Sequence, residues 1–489
     1  MSNVFGQENV LYSTIQQAKK SNVAFKDVVA FKEVSAEKRV LEYFENLDEV
    51  IFFENILPDG NSDVKTQGIN LIIPTKNKNI TLELIEVPND FYDYEVETSN
   101  GKKNHANKNI KHYRGVMQGE NNSLAAITFY ENEVMGLISS NDGNFNIVKD
   151  KQSGKHIFYN DKNLKEKPSM KCETIDDNSI SYESDVLFQP RNNVLQKITT
   201  PQLQTDNDKI VKFYFETEYD IYQTRESTSS VEAFITGLFN QVAVLYQNED
   251  ITTNISVLYI WTSNDPYTAT NTSSLLSQFQ NTRTNFIGDL GMLLTFRNVG
   301  GGLAAGFSGL CNSSTSQKLA VSMLYNSYDT VPTYSWSVYV VTHEFGHLFG
   351  SRHTHACVWN GNNTAIDGCA DYVEGSCSLP GYPVDGGTIM SYCHLQSVGI
   401  NFNFGFGSQP GNVIRNNTNN ASCLQACDIP VNFTNQTVSS NDVIVYSCSD
   451  INVQNVTVTN NAKLKFDAPG EVIINGPFEV ALGSELEVK

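Results

Sequence analysis

Alternation of apolar and polar residues along the first third of the chain predicts a β-rich region. The clearest runs lie at residues 69–73, 80–85, 124–129 and 134–138, and turns rich in Asn and Gly separate them. Successive side chains of a strand point to opposite faces of its sheet, so this pattern is typical of strands with one buried face. We therefore expect residues 1–177 to fold as a β-rich domain.

The pattern changes near residue 209, where runs typical of strands alternate with apolar residues at helical spacing. Strands are predicted at 210–215, 255–261, 292–296 and 318–325, and helices at 231–245, 275–287 and 333–349. Strands that alternate with helices usually form a largely parallel sheet that the helices cover. Residues 209–427 are predicted to form one such domain, in a multidomain chain of the α+β class.

Two segments differ from both of these regions. Residues 178–208 are polar and irregular and contain Pro190 and Pro201, which is typical of a linker open to proteolytic processing. Residues 428–489 contain very short alternating runs, separated by Asn-Asn, Pro-Gly and Gly-Ser breaks. We expect this last segment to form a small all-β module of stacked short strands.

Composition and charge narrow the range of functions. The 489 residues carry a formal net charge of −20, which disfavours nucleic acid as a partner because binding to phosphates requires positive charge. No apolar run approaches the roughly 20 residues of a membrane-spanning helix. The first residues are not basic and then hydrophobic, as a signal peptide would be, so an exported protein would have its leader outside this sequence.

The cysteines are distributed unevenly. Of the nine, Cys172 stands alone in the first part of the chain, and the others cluster in the second. Clustered cysteines among many Asn, Thr and Ser residues indicate disulfides, an oxidising compartment and a secreted protein. A zinc site built only from cysteines is the alternative, but their irregular spacing lacks paired Cys-x-x-Cys units. The disulfide connectivity does not follow from the sequence.

The strongest chemical signal runs from His343 to His353, with the sequence HEFGHLFGSRH. On a helix, His343 and His347 project from one face with the spacing that two metal ligands require. Gly350 is expected to end the helix in a left-handed conformation, so that the chain delivers a third imidazole from His353. Three imidazoles with one open position are typical of a catalytic zinc site, where Glu344 can reach water without binding the metal. The alternative is an ordinary amphipathic helix.

This stretch resembles the zinc-binding helix of the metzincin metallopeptidases, in particular bacterial secreted relatives of the reprolysin (adamalysin) group. Metzincins also have a methionine-containing turn beneath the metal, and residues 388–392, with Met390, resemble it. The resemblance implies Zn²⁺ bound by the three histidines, Glu344 as general base towards zinc-activated water, and protein or peptide substrates. It also implies an antiparallel edge strand at residues 300–307, whose glycines lack the Gly-Lys-Ser/Thr of a phosphate-binding loop.

Residues 1–177 resemble the propeptide of reprolysin-type enzymes, most clearly at 113–116 and 133–138. In several metzincin propeptides a lone thiol near the downstream end occupies the open zinc position, and residues 167–173 around Cys172 resemble such a cysteine switch. A thiolate is a strong zinc ligand and would leave no position for water. The resemblance implies a latent zymogen and an activating protease, and the alternative is an incidental free thiol.

Some positions depart from the reprolysin pattern. Thr354 follows the third histidine, where reprolysins usually have Asp. Tyr392, two residues after the methionine, resembles the astacin and serralysin turn, in which this tyrosine steadies the oxyanion, and a packed tyrosine is the alternative. Secreted proteases also bind Ca²⁺, but Asp367, Asp371 and Asp385 do not have the spacing of a binding loop.

The sequence therefore predicts a secreted zinc endopeptidase that is made as a latent precursor. A second hypothesis is a non-enzymatic binding or adhesion protein, with an inactive protease-like domain and contacts made by the terminal β units. The first hypothesis is favoured because the three histidines of the motif and Glu344 are all present.

Overall fold

The protein is described here by a computed structural model, which divides it into two compact units. The first contains residues 1–203 and 212–420, and the second contains residues 204–211 and 421–489. The structure describes residues 9–36, 44, 47–57, 66–76, 78–150, 153–165, 171–174, 181–190, 209–325, 334–424, 431–439, 442–447, 450–468 and 470–488. Part of the predicted linker, residues 191–208, lies outside the described residues, as do Cys427 and Cys448.

The N-terminal part of the first unit contains one long helix followed by a series of strands. In chain order these are α1 (Val10–Lys20), β1 (Phe25–Val29), β2 (Phe31–Val34), β3 (Ile51–Asn55), β4 (Gly68–Ile73), β5 (Ile80–Glu86), β6 (Glu95–Thr98), β7 (Lys103–His105), β8 (Lys111–Met117), β9 (Leu124–Tyr130), β10 (Glu133–Ser140), β11 (Gly143–Lys149), β12 (His156–Asn160) and β13 (Lys171–Cys172). The four alternating runs of the sequence coincide with β4, β5, β9 and β10. This part of the chain is β-rich, as the alternation predicts.

Ten of these strands form one sheet, in the order β1-β4-β5-β8-β9-β10-β11-β12-β3-β2. Neighbouring central strands run antiparallel. For example, Leu71 of β4 lies opposite Leu82 of β5, and Ile127 of β9 lies opposite Gly136 of β10. The side chains of Leu71, Leu82 and Ile127 are fully buried in one apolar cluster. Removal of this face from water is what stabilises the sheet.

His156, at the start of β12, links the stability of this sheet to pH. Its side chain is buried, and its Nε2 accepts a hydrogen bond from the backbone N–H of Val134 at 2.9 Å. Burial, with the nearby charge of Lys149, lowers the pKa of His156 from 6.5 to about 3. Below pH 6.5, the unfolded chain therefore binds a proton that the folded sheet excludes.

We expect the free energy of unfolding to fall as the pH drops below about 6.5 towards 3, by up to about 1.4 kcal/mol per pH unit for this group. Denaturant unfolding at a series of pH values would measure the slope. The substitution His156→Gln should make the slope shallower. The substitution His105→Gln, at an exposed position on β7, should leave it unchanged. Equal slopes in the wild type and the His156 variant would contradict the assignment.

The rest of the first unit alternates helices and strands. Its elements are α2 (Ser184–Leu187), β14 (Ile210–Thr217), α3 (Tyr219–Arg225), α4 (Thr228–Gln247), β15 (Thr252–Ile260), α5 (Thr272–Thr282), β16 (Leu290–Thr295), β17 (Gly301–Ala304), β18 (Leu319–Met323), α6 (Tyr334–Leu348) and α7 (Ser408–Asn420). The predicted strands correspond to β14, β15, β16 and β18, and the predicted helices to α4, α5 and α6. Within the described residues, no helix combines the length and apolar character needed to cross a bilayer.

The bounds of α5 differ from the prediction, since the helix ends at Thr282 and not at residue 287. Asn271 caps its N-terminus by accepting a hydrogen bond from the Ser274 N–H at 2.9 Å, so the helix also begins earlier than predicted. Phe286, beyond the helix end, serves tertiary packing, because its ring lies 5.3 Å from the Tyr214 ring.

The strands of this part belong to a mixed eight-stranded sheet, in the order β13-β17-β18-β16-β14-β15-β6-β7. The pairs β14–β16, β16–β18 and β15–β6 are parallel, and β17 runs antiparallel to β18. The antiparallel strand expected at residues 300–307 is therefore present as β17. It is not the outermost strand, because β13 pairs with its other side.

Both outer ends of this sheet come from the N-terminal part of the chain. At one end is β13, and at the other is the hairpin β6–β7. Val257 of β15 pairs in parallel with Glu95 of β6, which in turn lies opposite His105 of β7. The Tyr94 hydroxyl, beside this hairpin, donates to the Glu232 carboxylate of α4 at 3.0 Å. The regions predicted as separate domains therefore share one sheet.

The helix α4 lies between the two sheets of the first unit. Ser227 caps its N-terminus by accepting a hydrogen bond from the Ser230 N–H at 3.1 Å. One side packs on β8, β9 and β10, and the other packs on β15 and α6. Arg114 of β8 reaches the helix and donates to Asn240 at 2.8 Å and to Gln247 at 3.1 Å. Because α4 is covered on both sides, nearly all of its side chains are buried.

The described part of residues 431–488, in the second unit, forms strands of 4 to 9 residues, and three of these strands are longer than the very short strands that the sequence predicts. The strands are β19 (Val431–Val438), β20 (Asp442–Tyr446), β21 (Ile451–Val458), β22 (Lys463–Asp467), β23 (Val472–Val480) and β24 (Glu485–Val488). They form two parallel sheets, β19-β21-β23 and β20-β22-β24. Asn452 donates to Asn432, and Asn455 donates to Asn435, each pair being 20 residues apart. The unit therefore stacks similar strands at a regular interval.

Candidate active site

The helix α6 carries the first two histidines of the motif. It ends at Leu348, and Gly350, two residues further on, has a φ of +106°, a region that residues with a side chain rarely adopt. There the Gly350 N–H donates to the His347 carbonyl at 2.7 Å, and the Asn417 side chain donates to the Phe349 carbonyl at 2.8 Å. The chain then reverses and brings His353 back beside the helix.

A hydrogen bond from Nδ1–H orients each of the three imidazoles. His343 donates to the Ile389 carbonyl at 2.7 Å, His347 to the Ser351 carbonyl at 2.8 Å and His353 to the Glu374 carboxylate at 2.9 Å. Burial lowers the pKa of His343 and His347 well below the usual value, and that of His353 to about 4. The rings are therefore neutral, and with the proton on Nδ1 each Nε2 is an acceptor.

The three Nε2 atoms face one another. The Nε2 of His347 lies 3.1 Å from that of His343 and 3.1 Å from that of His353. Lone pairs at this separation repel unless a cation lies among them. Three imidazole nitrogens are the ligand set of many catalytic zinc sites, so the residues present fit a Zn²⁺ ion.

The thiol of Cys172 lies at the same point. Its Sγ is 3.4 Å from the His347 Nε2, and the possible ligand atoms of Cys172 and the three histidines all lie within 4.8 Å of one another. Parallel pairing of β13 with β17, in which Cys172 lies opposite Gly302, holds the thiol there. Burial and the nearby Glu344 carboxylate raise the pKa of the Cys172 thiol, whereas a bound cation would favour the thiolate.

Glu344 is fully buried beside these side chains. Its Oε2 accepts hydrogen bonds at 3.4 Å from both the Cys172 thiol and the Thr174 hydroxyl. Thr174 in turn accepts from the Ala304 N–H of β17 at 3.0 Å. Burial raises the pKa of Glu344 to about 8, although these hydrogen bonds act in the opposite direction. Glu344 therefore lies within hydrogen-bonding distance of the thiol at the histidine cluster without being one of the converging side chains.

Residues 388–392 form a turn beneath α6. Met390 is fully buried, and a Cβ at position 346 would lie 2.7 Å from its Sδ, so the helix can approach the turn because Gly346 has no side chain. Tyr392 is also buried, with its ring centroid 4.9 Å from that of His353. Its hydroxyl donates to the Cys172 carbonyl. The structure therefore brings the predicted methionine and tyrosine to the histidines.

Disulfides constrain the loop that follows His353. They join Cys357 to Cys377 and Cys369 to Cys393, and Cys311 and Cys423 are also disulfide-bonded. Cys172 is the free cysteine among the described residues. Disulfides are therefore present in the cysteine-rich region, as its composition predicts.

Sequence reasoning missed Glu374, which lies in this loop and accepts the hydrogen bond from His353. Burial raises the pKa of the Glu374 carboxyl, but the charge interaction with His353 and hydrogen bonds from His353 and His355 outweigh it, and the net pKa lies below its usual value. Because the pKa values of Glu374 and His353 are both lowered, the Glu374 carboxyl is ionised and the His353 imidazole is neutral. No fixed spacing relates Glu374 to the motif, so it and Thr174 gave no signal in the sequence.

The other histidines of this region lie beside the cluster. His355 is fully buried, and its ring stacks on that of His353 with the centroids 4.8 Å apart. His394 packs against Trp336 of α6, with the ring centroids 5.2 Å apart. Both therefore pack around the cluster and do not extend the set of converging Nε2 atoms.

The aspartates considered for calcium are not brought together. Among the described residues, no group of three possible metal ligands includes Asp371 or Asp385. Asp367 lies close to Cys369 and Cys393, but these two cysteines form a disulfide with each other. Nothing in this arrangement favours a calcium site over the zinc site.

Comparisons with known proteins bear on the central part of the chain. A family model described as Reprolysin_5, metallo-peptidase family M12, matches residues 207–399. No curated protein matches the sequence. Metalloproteinase-II from Bacteroides fragilis is similar at 13% identity, over 62% of this chain and 89% of that chain, with a TM-score of 0.37.

A chaperone–substrate complex is similar at 12% identity, over 45% of this chain and 28% of that chain, with a TM-score of 0.23. The family match includes α6, His353 and the turn at Met390, and so covers the motif and its surroundings. It confirms the resemblance to a metzincin-like metallopeptidase, which in this chain extends over residues 207–399.

Proposed function

We propose that the chain is the latent precursor of a secreted zinc-dependent endopeptidase. The observation that carries this proposal is the convergence of the Nε2 atoms of His343, His347 and His353 with the Cys172 thiol. In the precursor the three histidines bind Zn²⁺ and the thiol fills the fourth position. In the active enzyme that position is open to water and substrate.

The catalytic roles follow from the surroundings of this site. When bound, zinc supplies a Lewis acid that lowers the pKa of water and polarises a carbonyl group. Glu344 accepts a proton from the attacking water and passes it to the leaving amine. Tyr392 donates to the oxyanion that develops on the scissile carbonyl. Its hydroxyl already donates to a peptide carbonyl, that of Cys172, which supports this role.

Latency has two components in this proposal. The first is the thiol of Cys172 in place of water. The second is β13, which occupies the side of β17 where an extended peptide substrate would add as a strand. The Glu173 N–H donates to the Gly302 carbonyl at 3.1 Å, so this backbone site is filled in the precursor.

The proposal also assigns roles to the parts of the chain. Residues 1–177 are the propeptide, 178–208 the linker that an activating protease cuts, 209–427 the catalytic domain and 428–489 an accessory β module. Disulfides in the catalytic domain support a location in an oxidising compartment outside the cell. The substrates are proteins or peptides.

Metal analysis of the purified full chain tests the proposal. We expect about one zinc ion per chain, and a large loss of bound zinc in His347→Ala, because this ring lies between the other two ligands. The control His105→Ala, on the exposed strand β7, should keep its zinc. A wild-type protein that binds no zinc when zinc is supplied would contradict the proposal.

The alternative of a non-enzymatic binding protein predicts zinc binding without hydrolysis. Casein hydrolysis by the proteolytically activated protein and by its Glu344→Gln variant separates the two functions. Equal and negligible turnover in both proteins would favour the binding protein.

A further inference from the structure

The three histidines of the cluster are not held in the same way. The Nδ1–H of His343 and that of His347 donate to backbone carbonyls. The Nδ1–H of His353 donates to a side-chain carboxylate, the Oε1 of Glu374, at 2.9 Å. A bond to a carboxylate is charge-assisted and so is stronger than a bond to a neutral carbonyl.

His353 is also the histidine that most needs such a partner. His343 and His347 project from α6, whose backbone fixes them, whereas His353 lies beyond the helix end in a stretch without regular secondary structure. Its ring orientation therefore depends more on side-chain contacts than that of the other two rings. The Glu374 hydrogen bond supplies that orientation and fixes the tautomer with a free Nε2.

The loop holds Glu374 rigidly for this role. Its backbone N–H donates to the His355 carbonyl at 3.1 Å, and its carbonyl accepts from the Cys357 N–H at 2.8 Å. The disulfide Cys357–Cys377 closes the same loop. The carboxylate is mostly enclosed, with 12% of the side chain exposed, and its Oε1 lies 3.5 Å from the His355 Nε2.

The geometry points to Glu374 as a positioning residue, which holds His353 in the orientation and tautomer that bind the metal and increases the basicity of its Nε2. This inference rests on the proposed function, in which His353 is a zinc ligand. In this inference Glu374 acts through His353 and is not itself a ligand of the zinc ion. For His353, the Glu374 carboxylate takes the place of the backbone carbonyl that orients His343 or His347.

Zinc affinity measured by competition with a chelator tests the inference in the full chain. We expect Glu374→Ala to bind zinc about 10- to 100-fold more weakly than the wild type. Glu374→Gln keeps an acceptor oxygen but loses the charge, so its affinity should fall between the two. The matched control is Asp371→Asn, which makes the same chemical change at an exposed position of the same loop and should leave zinc affinity unchanged.

The outcomes separate this inference from the proposed function. A wild type without zinc contradicts the proposed function. A wild type that binds zinc, together with a Glu374→Ala variant of equal affinity, overturns only the role of Glu374. Equal losses in the Glu374 and Asp371 variants also overturn it, because loop charge would then be the cause. Circular dichroism of the metal-free protein would show whether Glu374→Ala folds. If it does not fold, the zinc affinity of Glu374→Gln is compared with that of Asp371→Asn. Equal zinc affinities of these two variants overturn the inference.

Discussion

Cys172→Ala in the intact chain is expected to release proteolytic activity without any cut between residues 178 and 208. The Sγ of Cys172 lies 3.4 Å from the His347 Nε2, and in the proposed precursor it competes with water for the open zinc position. We expect an increase of about 100-fold or more in peptide hydrolysis, which requires only about 3 kcal/mol of stabilisation of the blocked state by the thiol. Initial rates on a quenched fluorescent peptide would measure it.

The double variant Cys172→Ala, Glu344→Gln is the control, because it lacks both the thiol and the proposed base and should be inactive. A Cys172→Ala chain that binds zinc and stays as inactive as the wild type would show that removal of the thiol is not sufficient to release activity. Cutting that same variant in the linker then tests whether pairing of β13 with β17 is sufficient to block the site.

Glu344→Gln in the activated enzyme is expected to reduce kcat by about 10²- to 10⁴-fold, the usual contribution of a general base. The carboxylate lies beside the three histidines but is not one of the converging ligands. The zinc content of the Glu344→Gln enzyme should therefore remain that of the wild type. Loss of the base can then be distinguished from loss of the metal. Elemental analysis and steady-state kinetics on the same preparation would show both.

The matched control is Glu226→Gln, which makes the same chemical change at an exposed position of the proposed catalytic domain, just after α3. It should change neither kcat nor zinc content. A Glu344→Gln enzyme with wild-type kcat would remove Glu344 from the mechanism, and one that lost zinc would indicate a ligand role that the geometry does not suggest.

Local patterns in the sequence were sufficient to predict most of the strands and the ligand-bearing helix. Alternation marks β4, β5, β9 and β10, each of which contributes apolar side chains to one buried cluster. It did not indicate that β9 and β10 are also buried on their other face, which packs on α4. The motif specifies α6, the left-handed Gly350 and the return of His353 because each depends on residues close in sequence. Tertiary packing sets the position at which α5 ends, and there the pattern predicted the wrong last residue of the helix.

Contacts between distant residues could not be predicted in this way. Thr174 and Glu374 reach the site through pairing of β13 with β17 and through a disulfide-closed loop, and neither has a fixed spacing from His343. The sharing of one sheet by the two predicted domains was missed for the same reason. The strands 95–98 and 103–105 are too short to indicate which sheet they join.

That shared sheet has a consequence for how the protein would be switched on. Hydrogen bonds and apolar packing hold the hairpin β6–β7 and the strands that cover α4, and an ion pair joins Arg225 of α3 to Glu133 of β10 at 3.3 Å. A cut in residues 191–208 removes none of these contacts. The severed piece should stay docked as a two-chain complex, and when it departs it leaves the backbone groups of β15 unpaired along one edge. Scission would then start a slow dissociation, and the onset of activity would lag behind the appearance of the cut chain on a gel.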